Sequence, residues 1–266
     1  MAKLKFAGIQ INNLDAGNIQ DRDSNLNHAI ELIKNIEPVD LIILPELFTC
    51  GYSRKTFENL KELTEDVQGK SFQVFSDLAK ARNCHICFGF PEKKNNKYYI
   101  SQAVINPEGK VDVIYSKQHM AQFGNSMEKE FFERGNETIS FEIKGFKIGI
   151  MICYDMRFPE LSRKMALEHN IDFLLHPVAF SKDNSFPSWP HFIITRAIEN
   201  QVYLLSLNRA GEEYGNSIFC PPWIDYNTKP TTIGSKEEII IGEVNTEVIE
   251  KVRNEYRFRE DRKENY

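Results

Sequence analysis

Glu46, Lys117 and Cys153 share a setting. Each closes an apolar, β-branched run, in "DLIILPEL", "KVDVIYSK" and "FKIGIMIC". A carboxylate, an amine and a thiol are the groups that acyl transfer needs, and function in α/β sheets collects at strand ends. Taken alone, Glu46 or Lys117 reads first as a solvated strand-rim residue. The recurrence points to chemistry. An ordinary thiol, with a pKa of about 8.5, is only a few per cent thiolate at neutral pH, so a nucleophilic cysteine needs a base or a nearby cation. Glu46 is suited to take the proton, and Lys117 to stabilise a thiolate or a developing oxyanion. The backbone N–H of Tyr154, directly after Cys153, is the natural second oxyanion donor.

The elements that must carry these residues alternate between the two periodicities. "LKFAGIQI" reads as a first strand, and Leu26, Ala29, Ile30 and Ile33 mark one face of a helix. Phe72, Phe75, Leu78 and Ala79 mark a second helix. "HICFGF" and "YYISQAVIN" read as strands, and "NPEG" turns the chain into the strand before Lys117. "TISFEIKGFKIGIMIC" reads as a hairpin through Lys144 and Gly145 that delivers Cys153. Pro159 suits the first turn of a helix over 159–169. "IDFLLHPV", "VYLLSLN", "GNSIFC" and "EIIIGEV" are further strands, "HFIITRAIENQ" is a helix, and a short charged helix closes the chain. Hairpins among helices predict a layered α/β architecture with mixed sheets rather than an all-parallel barrel.

Composition sets the outer bounds. Hydrophobic residues make up 41% and charged residues 27% of 266, ordinary for a globular protein. No linker or charge block divides the chain, so one domain over 1–266 is expected. A net charge of −5 with interleaved signs argues against nucleic acid or an anionic membrane as partner. No apolar run has the length of a membrane span. The N-terminus is too alternating for a signal peptide. Five cysteines without regular spacing predict a reducing compartment, the cytoplasm by default, and no disulfide framework.

"LPELFTCGY", "YSKQH" and "GIMICYDMRFPEL", in this order, resemble the three signature segments of the nitrilase superfamily, the carbon–nitrogen hydrolases. "RAIENQVYLLSLNRAG", "GNSIF" and "EKVRNEYRFREDRKENY" are similar to that family's later segments, so the resemblance spans almost the whole chain. It implies an α-β-β-α sandwich of two mixed sheets. It also implies a general base at Glu46, a stabilising cation at Lys117 and a nucleophile at Cys153. The implied enzyme releases ammonia or an amine from a small linear amide through an acyl-thioester, with no cofactor. A further glutamate between lysine and cysteine matches Glu128 in "SMEKEFFERG", with Glu130 the runner-up and Glu133 a distant third. The resemblance, with amphipathic "FPEL" and "RAIEN" helices on the outer layers, predicts a homodimer.

"HPVAFSKDNSFPSWPHF" corresponds to the segment that shapes the family's acyl pocket, and Phe180 and Trp189 are its candidate wall residues. Tyr52 is a third. Each of the three fits a core position as well as a substrate contact. Lys182 is the expected holder of a substrate carboxylate. The loop has omega-amidase-like length, with "KDNSF" where that branch usually carries Thr-Gly. True nitrilase or N-carbamoyl-amine hydrolase chemistry suits the same triad, and an idle binding or scaffold protein on this fold is the rival from another class. A redox protein would need Cys84 and Cys87 of "CHIC" on one accessible turn, but strand residues three apart face opposite ways. No zinc site completes that pair. His119 reads as a structural hydrogen-bonder, Asp155 and Arg157 as supports of the turn behind Cys153, and Cys50 and Cys220 as packing residues.

Overall fold

The computed structural model describes residues 2–263. Among the described residues twelve strands form, in chain order: β1 (Lys3–Gln10), β2 (Leu41–Ile43), β3 (His85–Lys94), β4 (Lys97–Ile105), β5 (Val111–Ser116), β6 (Ser140–Ile143), β7 (Phe146–Ile150), β8 (Phe173–Pro177), β9 (Tyr203–Leu207), β10 (Ile218–Cys220), β11 (Thr231–Thr232) and β12 (Glu238–Asn245). They make two six-stranded sheets, ordered β12-β1-β2-β3-β4-β5 and β11-β10-β9-β8-β7-β6. Each is mixed. A parallel trio, β1-β2-β3 or β7-β8-β9, is flanked on both sides by antiparallel neighbours. The parallel trios need long crossovers, which the helices supply.

Three apolar layers follow from the strand patterning. Leu4, Phe6, Leu41, Ile43 and Cys87 of the first sheet face Ile148, Ile150, Phe173, Leu175 and Leu205 of the second. Ala7, Ile9, Ile42, Phe88 and Phe90 point the other way, onto Leu26, Ala29 and Ile33 of the Ile19–Lys34 helix and Phe72 and Phe75 of the Lys70–Arg82 helix. Met151, Leu174 and Leu204 meet Leu161 and Met165 of the Pro159–Glu168 helix and Ile193 and Ala197 of the Trp189–Asn200 helix. The result is the four-layer α-β-β-α sandwich. Strands buried on both faces read as near-continuous apolar runs, which is why "DLIILPEL" and "IDFLLHPV" carry no alternation.

The parallel strands are shorter than their apolar runs. The β2 strand stops at Ile43 and β7 at Ile150, although single ladder bonds continue from Leu44 N–H to the Cys87 carbonyl and from Met151 N–H to the Leu175 carbonyl. Glu46 and Cys153 therefore lie in turns just beyond the sheet edges, not on the last strand residue. Lys117 directly follows β5 and bonds the Ile100 carbonyl. Cys84 packs in the helix-side layer and Cys87 between the sheets. Burial pushes their thiols up to about 11 and about 12, so they are inert packing groups. Cys50 and Cys220 are likewise buried and free. Among the described residues no helix is long and apolar enough to cross a membrane.

Candidate active site

Glycines bring the backbone of the site together. A Cβ at Gly89 of β3 would stand 2.3 Å from the Pro45 carbonyl and 2.6 Å from the Leu47 amide, so only glycine lets the Glu46 turn lie on that strand. Leu47 itself adopts φ +47°, which swings the chain away after the carboxylate. At Gly135 a Cβ would stand 2.1 Å from the Ser116 carbonyl, and its N–H bonds the Lys117 carbonyl at 2.8 Å. This clamps the end of β5.

Lys117 is the hub. Its ammonium donates to Glu46 Oε1 at 2.8 Å and to Glu128 Oε1 at 2.7 Å, and all three side chains are buried. Glu46 Oε2 accepts from the Ala179 N–H at 2.8 Å. Glu128 opens the Glu128–Phe131 helical turn, where Oε1 also accepts from Tyr52 Oη and Oε2 from the Ala121 N–H, both at 2.8 Å. Unpaired, each charge would cost several kcal/mol to bury. Here every carboxylate oxygen has a donor. Of the three glutamates in this segment, the structure brings Glu128 to the lysine. Glu130 is exposed and pairs with Arg54, and Glu133 is exposed and pairs with Lys97.

Burial raises the Glu46 carboxyl above its usual range; Lys117 opposes that rise, and the nearby negative Glu128 adds to it. For Lys117 burial works toward loss of the proton, but Glu128 and Glu46 together outweigh it and hold the ammonium well above its ordinary pKa. Burial also lifts the Cys153 thiol, and the negative Glu46 reinforces it against Lys117. These shifts favour a protonated Cys153 thiol and a protonated Lys117 amine, and make the Glu46 carboxylate more basic than usual.

Cys153 begins the 3-10 turn Cys153–Arg157 with φ +45°. A non-glycine residue in this left-handed region costs roughly 1–2 kcal/mol. Asp155 holds the turn: Oδ2 accepts from the Ile152 N–H at 3.0 Å and from Tyr115 Oη at 2.7 Å, and Oδ1 from the His119 N–H at 2.9 Å. The His119 ring lies 2.8 Å from the same carboxylate and stacks on Phe158. Asp155 and His119 thus support the turn, as expected from sequence. Arg157 does something else.

Cys153 and Tyr154 open onto a cavity of about 630 Å³, walled also by Tyr52, Phe180, Arg157 and the continuous segment 121–127. Arg157 is half-buried in this wall. Its Nη2 donates to Ser185 Oγ at 3.1 Å, and its guanidinium lies 5.0 Å from the Phe192 ring centroid and about 6 Å from those of Phe123 and Phe180. Ser185 Oγ in turn donates to Asp183 Oδ1 at 2.7 Å. Among the described residues no carboxylate reaches ion-pair distance of Arg157. Its signal was present in "CYDMR", but a cation next to a tight turn reads first as a turn support.

Trp189, an expected wall residue, and Lys182, the expected carboxylate holder, lie elsewhere. Trp189 is fully buried behind Phe180, with ring centroids 5.6 Å apart, and does not line the cavity. Its helical position puts the indole under the sheet instead of toward the opening. Lys182 donates to the Glu212 carbonyl at 2.7 Å and its own N–H bonds the Glu213 carbonyl, so its ammonium is drawn to a neighbouring loop and away from the cavity.

The chain is similar in sequence and in fold to known proteins. The omega-amidase NIT2-B of Xenopus laevis is 29% identical over 92% of this chain and 91% of its own length. A nitrilase of Pyrococcus abyssi is 33% identical over 80% of this chain and 77% of its own length. The crystal structure of Saccharomyces cerevisiae Nit3, a branch 10 member of the nitrilase superfamily, superposes with a TM-score of 0.83 at 27% identity, covering 99% of this chain and 97% of that one. Residues 5–254 match the family model for carbon-nitrogen hydrolases, and with that span, from β1 into the Thr246–Glu255 helix, the chain belongs to the carbon-nitrogen hydrolase family.

Proposed function

We propose that the protein hydrolyses a small linear amide whose far end carries a carboxylate, in the manner of an omega-amidase. The observation that carries this reading is Arg157, a cation with no anionic partner among the described residues, which shares one cavity with Cys153. A half-desolvated guanidinium framed by aromatic rings is a receptor for a carboxylate. The relatives named omega-amidase support the same class. Arg157 takes the carboxylate-holding role for which the sequence alone points to Lys182.

In this reading the Cys153 sulfur attacks the amide carbon as its proton passes to Glu46. Charge gathers on the carbonyl oxygen, met by the Tyr154 N–H and by Lys117, which has spent two of its three donors on Glu46 and Glu128. The C–N bond breaks and Glu46 returns the proton to the leaving nitrogen. Water, deprotonated by Glu46, then attacks the thioester, the C–S bond breaks, and the thiolate takes up the proton. Amide and water become acid and ammonia. Glu128 keeps Lys117 charged and in place through both halves.

An ammonia-release screen tests this. Monoamides of four- and five-carbon dicarboxylic acids should be hydrolysed faster than uncharged amides of equal length. A charged hydrogen bond contributes about 1.5–3 kcal/mol, hence a preference of roughly 10- to 150-fold. Equal rates for succinamate and butyramide, or a preference for carbamoyl amines or nitriles, would overturn the proposal.

A further inference from the structure

His176 lies on β8 beside the Cys153 turn, among the residues that line the same cavity, and its buried ring belongs to a chain of hydrogen bonds that begins in the core. Trp189 Nε1 lies 3.0 Å from Ser206 Oγ, Ser206 Oγ lies 2.7 Å from His176 Nδ1, and His176 Nε2 lies 2.9 Å from the Cys153 carbonyl oxygen. Both ends of this chain have only one polarity. An indole N–H can only donate, and a carbonyl can only accept. The Ser206 hydroxyl therefore accepts from Trp189 and spends its one proton on Nδ1, which leaves the imidazole proton on Nε2, donated to Cys153. Burial pushes the imidazole down to about 4, which keeps it neutral and preserves this direction.

The carbonyl that His176 grips belongs to the same planar peptide unit as the Tyr154 N–H, and in a trans peptide the two point opposite ways. The peptide follows a residue at φ +45°, outside any ladder, so it needs external contacts to hold its rotation. Donation to the carbonyl also polarises the unit and strengthens its N–H as a donor. We infer that His176 is a positioning residue that aims the Tyr154 N–H at the developing oxyanion through the shared peptide plane, with Ser206 and Trp189 fixing its tautomer. This rests on the reading of Cys153 as nucleophile and Tyr154 N–H as oxyanion donor. It also gives Trp189, displaced from the cavity wall, a place in the chemistry.

The test compares His176→Leu, which keeps the bulk without the donor, with His176→Gln, whose amide restores an N–H near the Nε2 position. Loss of one well-aimed oxyanion donor costs up to ~10²–10³ in kcat, so a misaimed one should lower kcat of the leucine variant about 10- to 100-fold with KM little changed. The glutamine variant should recover most of that loss. Modification of Cys153 by methyl methanethiosulfonate forms no oxyanion, and its rate should match wild type in both variants. Should His176→Leu not fold, Ser206→Ala, which removes only the middle of the chain of bonds, should show the same split at smaller amplitude. An unchanged kcat, a thiol-modification rate that falls in step with kcat, or a glutamine variant as impaired as the leucine one would overturn the inference. Wild-type protein that stayed active with Cys153 fully modified would instead overturn the nucleophile reading on which it rests.

Discussion

Lys117 Nζ sits 2.7 Å from Glu128 Oε1, and neither side chain is exposed to solvent. That bond ties the strand-end lysine to a helical turn whose other carboxylate oxygen is held by the Ala121 amide, at the start of the segment that walls the cavity. The charge of the site and the shape of its mouth are therefore mechanically linked.

Glu128→Ala removes the acceptor for Lys117, Tyr52 and Ala121 together. Breaking a buried ion pair at one partner typically costs about 3–5 kcal/mol, and a loss of that size is expected in urea unfolding, with the slope m unchanged. Glu128→Gln keeps the acceptor oxygen and should fold more stably than the alanine variant.

Cys153→Ala changes a thiol to a hydrogen on the same Cβ, so the strain at φ +45° and the fold should persist. Ammonia release should fall below about one per cent of wild type, since nucleophile removal typically costs several orders of magnitude. Residual turnover above a few per cent would exclude Cys153 as the nucleophile.

Arg157→Gln should bring kcat/KM for a carboxylated amide down to that for its neutral isostere, a loss of roughly 10- to 150-fold. Lys182→Ala, at a residue bonded to the Glu212 carbonyl outside the cavity, should leave the preference intact. Competition assays with succinamate and butyramide distinguish the two variants.

His176 has a folded-state pKa depressed by burial to about 4 from the usual 6.5. Below pH 6.5 the unfolded chain takes up a proton that the folded chain refuses. Its contribution is thus present above pH 6.5 and is lost as pH falls toward 4, with a total of about 3 kcal/mol. Urea midpoints between pH 7 and 4 should fall less steeply for His176→Gln than for wild type.

Legibility differed between residues for a physical reason. Apolar runs set by burial, such as "FKIGIMIC", mark strands because a strand covered on both faces takes a polar side chain only where a partner satisfies it, as His176 and Ser206 satisfy each other, and residues just past those runs mark the sheet edge where Glu46, Lys117 and Cys153 collect. Glu128 was reachable only through its spacing in a family motif. Nothing local separates it from Glu130, because both are acidic residues in one short turn, and only the packing against Lys117 distinguishes them.

From sequence alone came the alternation of elements, the layered α/β class and the three chemical groups at strand ends, since local periodicity and burial dictate those. The tertiary structure decided what each cavity-lining candidate faces. Trp189 and Phe180 are both aromatic residues of one loop-helix segment, yet one backs the core and the other walls the cavity, because the helix starting at Trp189 turns its indole inward to Ser206. Lys182 and Arg157 are both cations near the site, but a neighbouring loop's carbonyl captures one and aromatic rings hold the other at the cavity. Side-chain direction and the partners that compete for a charge are long-range facts, and they arise only when distant segments meet.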